Sequence, residues 1–77
     1  MTLRDYIESL DQQELHAFAG RCGIAISYMR LHVKYARKDP SVSLIRALTR
    51  ESQGEVSLAD VLQHYNIVEA TATAQAA

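Results

Sequence analysis

Ser27, Arg30, Leu31 and Lys34 fall at i, i+3, i+4 and i+7, the spacing that puts side chains on one face of a helix. That face is cationic and polar except for Leu31, and its chemistry is recognition. A guanidinium such as that of Arg30 can fork onto two adjacent acceptors, as guanine offers with O6 and N7. Ser27 is short and lies near the helix start, within reach of a base edge or a phosphate. Lys34 sits toward the far end of this base-reading face. Arg37 and Lys38 follow it, and all three suit phosphate oxygens. Leu31 fits a thymine methyl or a subunit contact equally well. Tyr28 and Tyr35 could touch phosphates through their hydroxyls or pack at the helix edge.

Other chemistries find little support. His16, His32 and His64 with Cys22 show no metal-ligand spacing. The acids mostly stand at helix starts, where capping accounts for them. No nucleophile, base and orienting group can be assembled, so no enzyme, metal or cofactor is expected. His32 reads as a core-edge histidine with one satisfied nitrogen in preference to a pH switch. Cys22, the single cysteine, reads as a packing residue and excludes an internal disulfide framework.

The elements that must position the cationic face are helical. Thr2 and Asp5 form a hydroxyl cap with an acid three residues on, and Leu3, Tyr6, Ile7 and Leu10 make one apolar stripe. Asp11 and Glu14 repeat the cap, so a second helix begins at once, with Leu15, Phe18, Ala19 and Cys22 inward. Gly23 suits the left-handed turn that ends it. A third helix of roughly three turns can then run from Ile26 to about Arg37, before Asp39-Pro40. Its inner face carries Met29, Val33 and Ala36, with His32 beside them. Asp39 or Ser41 caps a fourth helix with Val42, Leu44, Ile45 and Leu48 as its apolar positions, fading at Ser52-Gln53-Gly54. Ser57 and Asp60 open a fifth, with Leu58, Val61, Leu62 and Tyr65 in its apolar row; these four could also serve a two-fold interface. Together these give an all-α domain over residues 1–66 and a flexible tail over 67–77.

The second and third helices match the helix-turn-helix plan. Ala19, four before Gly23, keeps two steeply crossing helices close. Phe18 and Cys22 on one side, and Ile24, Met29 and Val33 on the other, pin the turn to the core. Backbone N–H groups at the start of the second helix, with Gln12 and Gln13, could hold a phosphate.

Charge supports the same surface. The 77-residue chain has a formal net charge of −1, which by itself argues against nucleic acid. Its distribution argues otherwise. Residues 1–20 set Arg4 against Asp5, Glu8, Asp11 and Glu14, a net −3. Residues 21–50 set Arg21, Arg30, Lys34, Arg37, Lys38, Arg46 and Arg50 against Asp39 alone, a net +6. Residues 51–77 hold only Glu51, Glu55, Asp60 and Glu69, a net −4. No apolar run approaches the roughly 18 residues of a membrane span, and no signal-peptide pattern follows Met1. A cytoplasmic, membrane-free protein is expected.

Phe18-Ala19-Gly20-Arg21-Cys22-Gly23, then Tyr28-Met29-Arg30, then Pro40-Ser41 and a Leu/Ile-rich helix resemble the Cro/C1 and Xre-type helix-turn-helix family. The small Cro-like group that includes the YdaS-like antitoxins is most similar. It shares the Thr-Leu-Arg-Asp-Tyr-Ile opening and a Gly-x-Val-Ser stretch, here Gly54-Glu55-Val56-Ser57. The resemblance spans about residues 2–65. It implies a λ-repressor-like DNA-binding domain and a transcriptional regulator, a repressor of phage Cro or antitoxin type, with an operator in double-stranded DNA as partner. A homodimer and a toxin are further partners this reading admits. The family has a Gly soon after the recognition helix, where this chain has Tyr35-Ala36-Arg37-Lys38, so an extended third helix is expected. The family also has a branched apolar residue where His32 stands. The rival reading is a small helical adaptor that binds a toxin or a polymerase subunit and not DNA.

Overall fold

The computed structural model describes residues 1–67. The tail expected over 67–77 therefore lies, beyond Ile67, outside the described residues. Those residues form five helices and no strand. They are α1 (Leu3–Ser9), α2 (Gln12–Arg21), α3, α4 (Val42–Glu51) and α5 (Leu58–His64). α3 begins as an α turn over Ile26–Tyr28 and continues as a π-helix over Met29–Val33.

Four of the five helix starts are fixed by a side-chain cap, and only α3, after Ala25, lacks one. Thr2, Asp11, Ser41 and Ser57 accept the backbone N–H three residues ahead, so Ser41 and not Asp39 caps α4. At Asp11–Glu14 and Ser57–Asp60 the acid also accepts the cap's own N–H, closing two full capping boxes. At Thr2 only the hydroxyl arm forms.

Three of the five helix ends share one device. After α2, the Ile24 N–H donates to the Ala19 carbonyl and the Gly23 N–H to that of Gly20, each at 3.0 Å. Gly23 has φ +77°. This double closure is the Schellman motif, with glycine at the left-handed position. After α5, the Ile67 N–H reaches the Leu62 carbonyl at 2.8 Å and the Asn66 N–H that of Gln63 at 3.0 Å, with Asn66 at φ +60°. After α3, the Arg37 N–H reaches the His32 carbonyl at 2.9 Å and the Ala36 N–H that of Val33 at 3.1 Å. Here the left-handed residue is Ala36, at φ +53°.

That closure corrects the expected length of α3. The helix does not run to Arg37; it ends at Val33 and turns back at Ala36. The expected inward Ala36 is half-buried in the turn. The winding differs too. The Lys34 N–H bonds to the Met29 carbonyl at 2.9 Å, five residues back. Each residue then turns less about the axis than in an α-helix.

One core gathers these elements. Leu3, Phe18, Met29 and Leu48 are wholly buried, joined by Tyr6, Ile7, Leu15, Ala19, Val33, Val56 and Val61. The Tyr6 and Phe18 rings meet edge to face at 5.3 Å. Ser52 is buried with them, its hydroxyl donating to the Thr49 carbonyl and accepting the Val56 N–H. Two expected core positions lie outside it: Val42 is 63% exposed and Leu58 is 50% exposed. Both are the first residue of their helix, and helical Cβ atoms lean toward the N-terminus, so these side chains project past the core.

Gly23 and Ala36 occupy equivalent backbone positions, so their substitutions should act in opposite directions. A Cβ built on Gly23 would meet nothing within 4 Å, which leaves only the backbone penalty. Gly23→Ala should cost about 1 kcal/mol of unfolding free energy, and Ala36→Gly should add about 0.5–1 kcal/mol. Urea unfolding followed by circular dichroism measures both. Destabilisation by Ala36→Gly would show that Ala36 is not held left-handed in solution.

Candidate nucleic-acid interface

The third helix presents its outer face because its inner face is fully engaged. Met29 and Val33 are buried against Phe18 and Ala19 of the core, with Cys22 and Ile24 half-buried alongside. The seven residues expected to shape the α2–α3 turn are therefore brought together: Phe18, Ala19, Cys22, Gly23, Ile24, Met29 and Val33.

On the outside, Ser27, Arg30 and Leu31 are exposed, Leu31 by 53%. Arg30 makes no ion pair among the described residues. Gln12 and Gln13 are exposed in the first turn of α2. Arg37 and Lys38 are exposed on the connection after α3 and are likewise unpaired among the described residues.

Two expected contact residues are turned elsewhere. Lys34 leans toward α1, where its Nζ lies 3.7 Å from Glu8 Oε2 and its side chain is only 25% exposed. Tyr28 is half-buried, its ring tilted against that of His32 at 5.0 Å. His32 itself has a buried Nδ1 with no hydrogen-bond partner among the described residues, so that nitrogen is not the satisfied one.

Sequence reasoning missed three residues here, His64, Arg4 and Glu8. His64 reaches from α5 to the end of α3, its ring Nε2 lying 2.6 Å from the Val33 carbonyl. A carbonyl can only accept, so Nε2 carries the proton. Arg4, Glu8 and Tyr35 adjoin Lys34: Glu8 Oε2 accepts from Arg4 Nε at 3.2 Å, and Arg4 lies over the Tyr35 ring. A depression of about 370 Å³ connects the two groups, lined by Ile7, Leu10 and Leu15 below and Glu8, Arg30, Leu31, Lys34 and Tyr35 above.

The basic middle of the chain is not all turned to one surface. Glu51 takes up two of its cations, Arg50 at 2.8 Å and Arg21 at 3.3 Å. The hydrogen bond from Arg50, with the charges of both arginines, holds the Glu51 carboxyl below its ordinary range. Burial pushes the Cys22 thiol up to about 11, and the nearby Glu51 charge adds to the effect. Burial also pushes the Tyr65 hydroxyl up to about 12, with Tyr28 as a second cause. None of the described helices is long and apolar enough to cross a membrane.

A thiol so raised is almost wholly protonated near neutrality, and only the thiolate is nucleophilic. Iodoacetamide at pH 7.5 should label Cys22 on the order of a hundredfold more slowly in the folded chain than in urea. Equal rates would place Cys22 outside the inner face. Linkage runs the same way: the unfolded chain loses this proton first as pH rises past about 8.5, so the contribution to stability is full below that pH and lost toward pH 11.

Comparison with known protein families, curated proteins and solved structures finds no match to this chain.

Proposed function

We propose that the chain is a sequence-specific, non-enzymatic DNA-binding transcriptional regulator of the cytoplasm. α2, the Gly23 turn and α3 act as a helix-turn-helix, with α3 entering the major groove. The observation that carries this reading is an exposed Arg30, unpaired among the described residues, beside Ser27 on a helix anchored through Met29 and Val33. Short helices so anchored present side chains in a fixed frame, as reading base edges requires. Arg30 reads guanine, and Ser27 and Leu31 meet neighbouring positions. Gln12, Gln13, Arg37 and Lys38 hold the backbone. The resemblance of about residues 2–65 to the Cro/C1 and Xre-type family supports a repressor of phage or antitoxin type. A homodimer would bind a near-palindrome with half-sites about 34 Å apart.

One observation favours the adaptor reading instead. Leu31 is 53% exposed beside a depression floored by Ile7, Leu10 and Leu15, a surface that could receive an apolar side chain of a protein. The two readings part in one experiment. Selection from random duplex DNA should yield a consistent site. Arg30→Ala should bind that site about 10- to 100-fold more weakly, with relaxed preference at one base pair. Failure to enrich any sequence would favour the adaptor, and unchanged binding by Arg30→Ala would remove Arg30 from the reading face.

A further inference from the structure

We infer that Arg4, Lys34 and Arg37, gathered round the Tyr35 ring, form a phosphodiester site for the flank of a bound duplex, with Glu8 as its resident counter-charge. The inference rests on the DNA-binding reading above and adds a surface beyond the outer face of α3. Three cations, Arg4 from α1 and Lys34 and Arg37 from the turn that carries Tyr35, converge on one aromatic ring. Arg4 Cζ lies 5.1 Å from the ring centroid, Arg37 Cζ 5.3 Å and Lys34 Nζ 5.4 Å. Each is within the range where the ring quadrupole attracts a cation, and this offsets part of their mutual repulsion. Tyr35 is 44% exposed, so the ring is a platform at the surface and not a core residue.

The charge is not balanced within the described residues. One oxygen, Glu8 Oε2, serves both Arg4 at 3.2 Å and Lys34 at 3.7 Å. Arg37 has no acidic partner there. Three positive groups thus face one carboxylate, which is itself 45% exposed. Exposed pairs of this kind are weak, so an incoming anion can displace Glu8 at small cost. A phosphodiester offers two unesterified oxygens on a chain that carries further charges along its length, matching cations spread round a ring. Continuity places this site beside the reading face: Glu8, Lys34 and Tyr35 line the same depression as Arg30 and Leu31. A strand held at Arg30 would run past it.

The experiment measures binding to the selected duplex as a function of salt. Arg4→Gln and Arg37→Gln should each lower the slope of log K against log salt by about 0.9, with sequence preference unchanged. Glu8→Gln removes the competitor and should raise affinity severalfold with a steeper slope. Tyr35 is a positioning residue. Tyr35→Leu leaves net charge unchanged yet should weaken binding severalfold, and Tyr35→Phe should restore affinity to within about twofold of the parent chain. Slopes unchanged in both arginine variants, with Arg30→Ala still defective, would overturn this site and leave the DNA-binding reading standing. Absence of any salt-dependent duplex binding by the parent chain would overturn that reading, and this site with it. Arg4 and Arg37 are exposed, so circular dichroism should show parent-like folding in both variants.

Discussion

The outer face of α3 can be positioned only through its inner face, and that face is small. Met29 and Val33 are its two wholly buried side chains. Helices of this length have little stability of their own, so tertiary contacts must fix the orientation. Three restraints supply it. The Gly23 closure sets the angle at which the chain leaves α2. The Ala36 closure ends the helix and turns the chain back. His64 clamps the last carbonyl of the π turn from α5. Because α5 packs on both α1 and α4, this imidazole hydrogen bond and the shared core tie the end of α3 to those helices.

Charge in this chain is organised by internal counter-ions. Glu51 holds Arg21 and Arg50, and Glu8 holds Arg4 and Lys34. Asp60 is held by its capping box: the Ser57 backbone N–H, then the Ser57 hydroxyl, keep its carboxyl below the ordinary range. The cations left without a partner among the described residues are Arg30, Arg37, Lys38 and Arg46. Three of these lie on α3 or on the connection after it. The cationic surface is therefore narrower than the +6 of residues 21–50, but it lies where a groove-binding helix would need it. The two glutamates differ in consequence. Glu51 is locked by two guanidinium groups away from α3, whereas Glu8 shares one oxygen between two cations beside it. Of the two, Glu8 is placed to compete with an external anion.

What could be read from the chain was what neighbouring residues decide. Asp11 with Glu14 and Ser57 with Asp60 announced their helices because a capping box closes within four residues. Gly23 announced its turn because no other residue type takes a left-handed conformation so cheaply. Ala36 gave no such signal. Alanine pays a penalty at φ +53°, and the Arg37 and Ala36 hydrogen bonds impose that conformation regardless. The π winding over Met29–Val33 was equally silent, and so was the partner on α1 that draws Lys34 toward Glu8. His64 to Val33 and Arg4 to Tyr35 each join residues 31 positions apart, so no local pattern could disclose them. Val42 and Leu58 failed in a different way, since periodicity alone does not tell where along its axis a helix leaves the core.

The placement of Lys34 bears directly on how much sequence a single domain could read under the proposed function. Turning Lys34 toward Glu8 leaves Ser27, Arg30 and Leu31 as the outward side chains. Only Arg30 among them is a bidentate donor, and one such contact discriminates by about 1–3 kcal/mol. Serine reads several bases alike, and an apolar contact distinguishes little beyond a thymine methyl. A regulator must outcompete a large excess of non-specific sites, which calls for roughly 4–10 kcal/mol of preference. One copy of this face falls short of that range, whereas two copies on adjacent half-sites approach it. The backbone cations do not close the gap, because phosphate contacts strengthen every sequence equally. Specific regulation by this fold therefore requires either a second copy on the operator or a partner that supplies the missing contacts. The narrowness of the face is what makes that requirement.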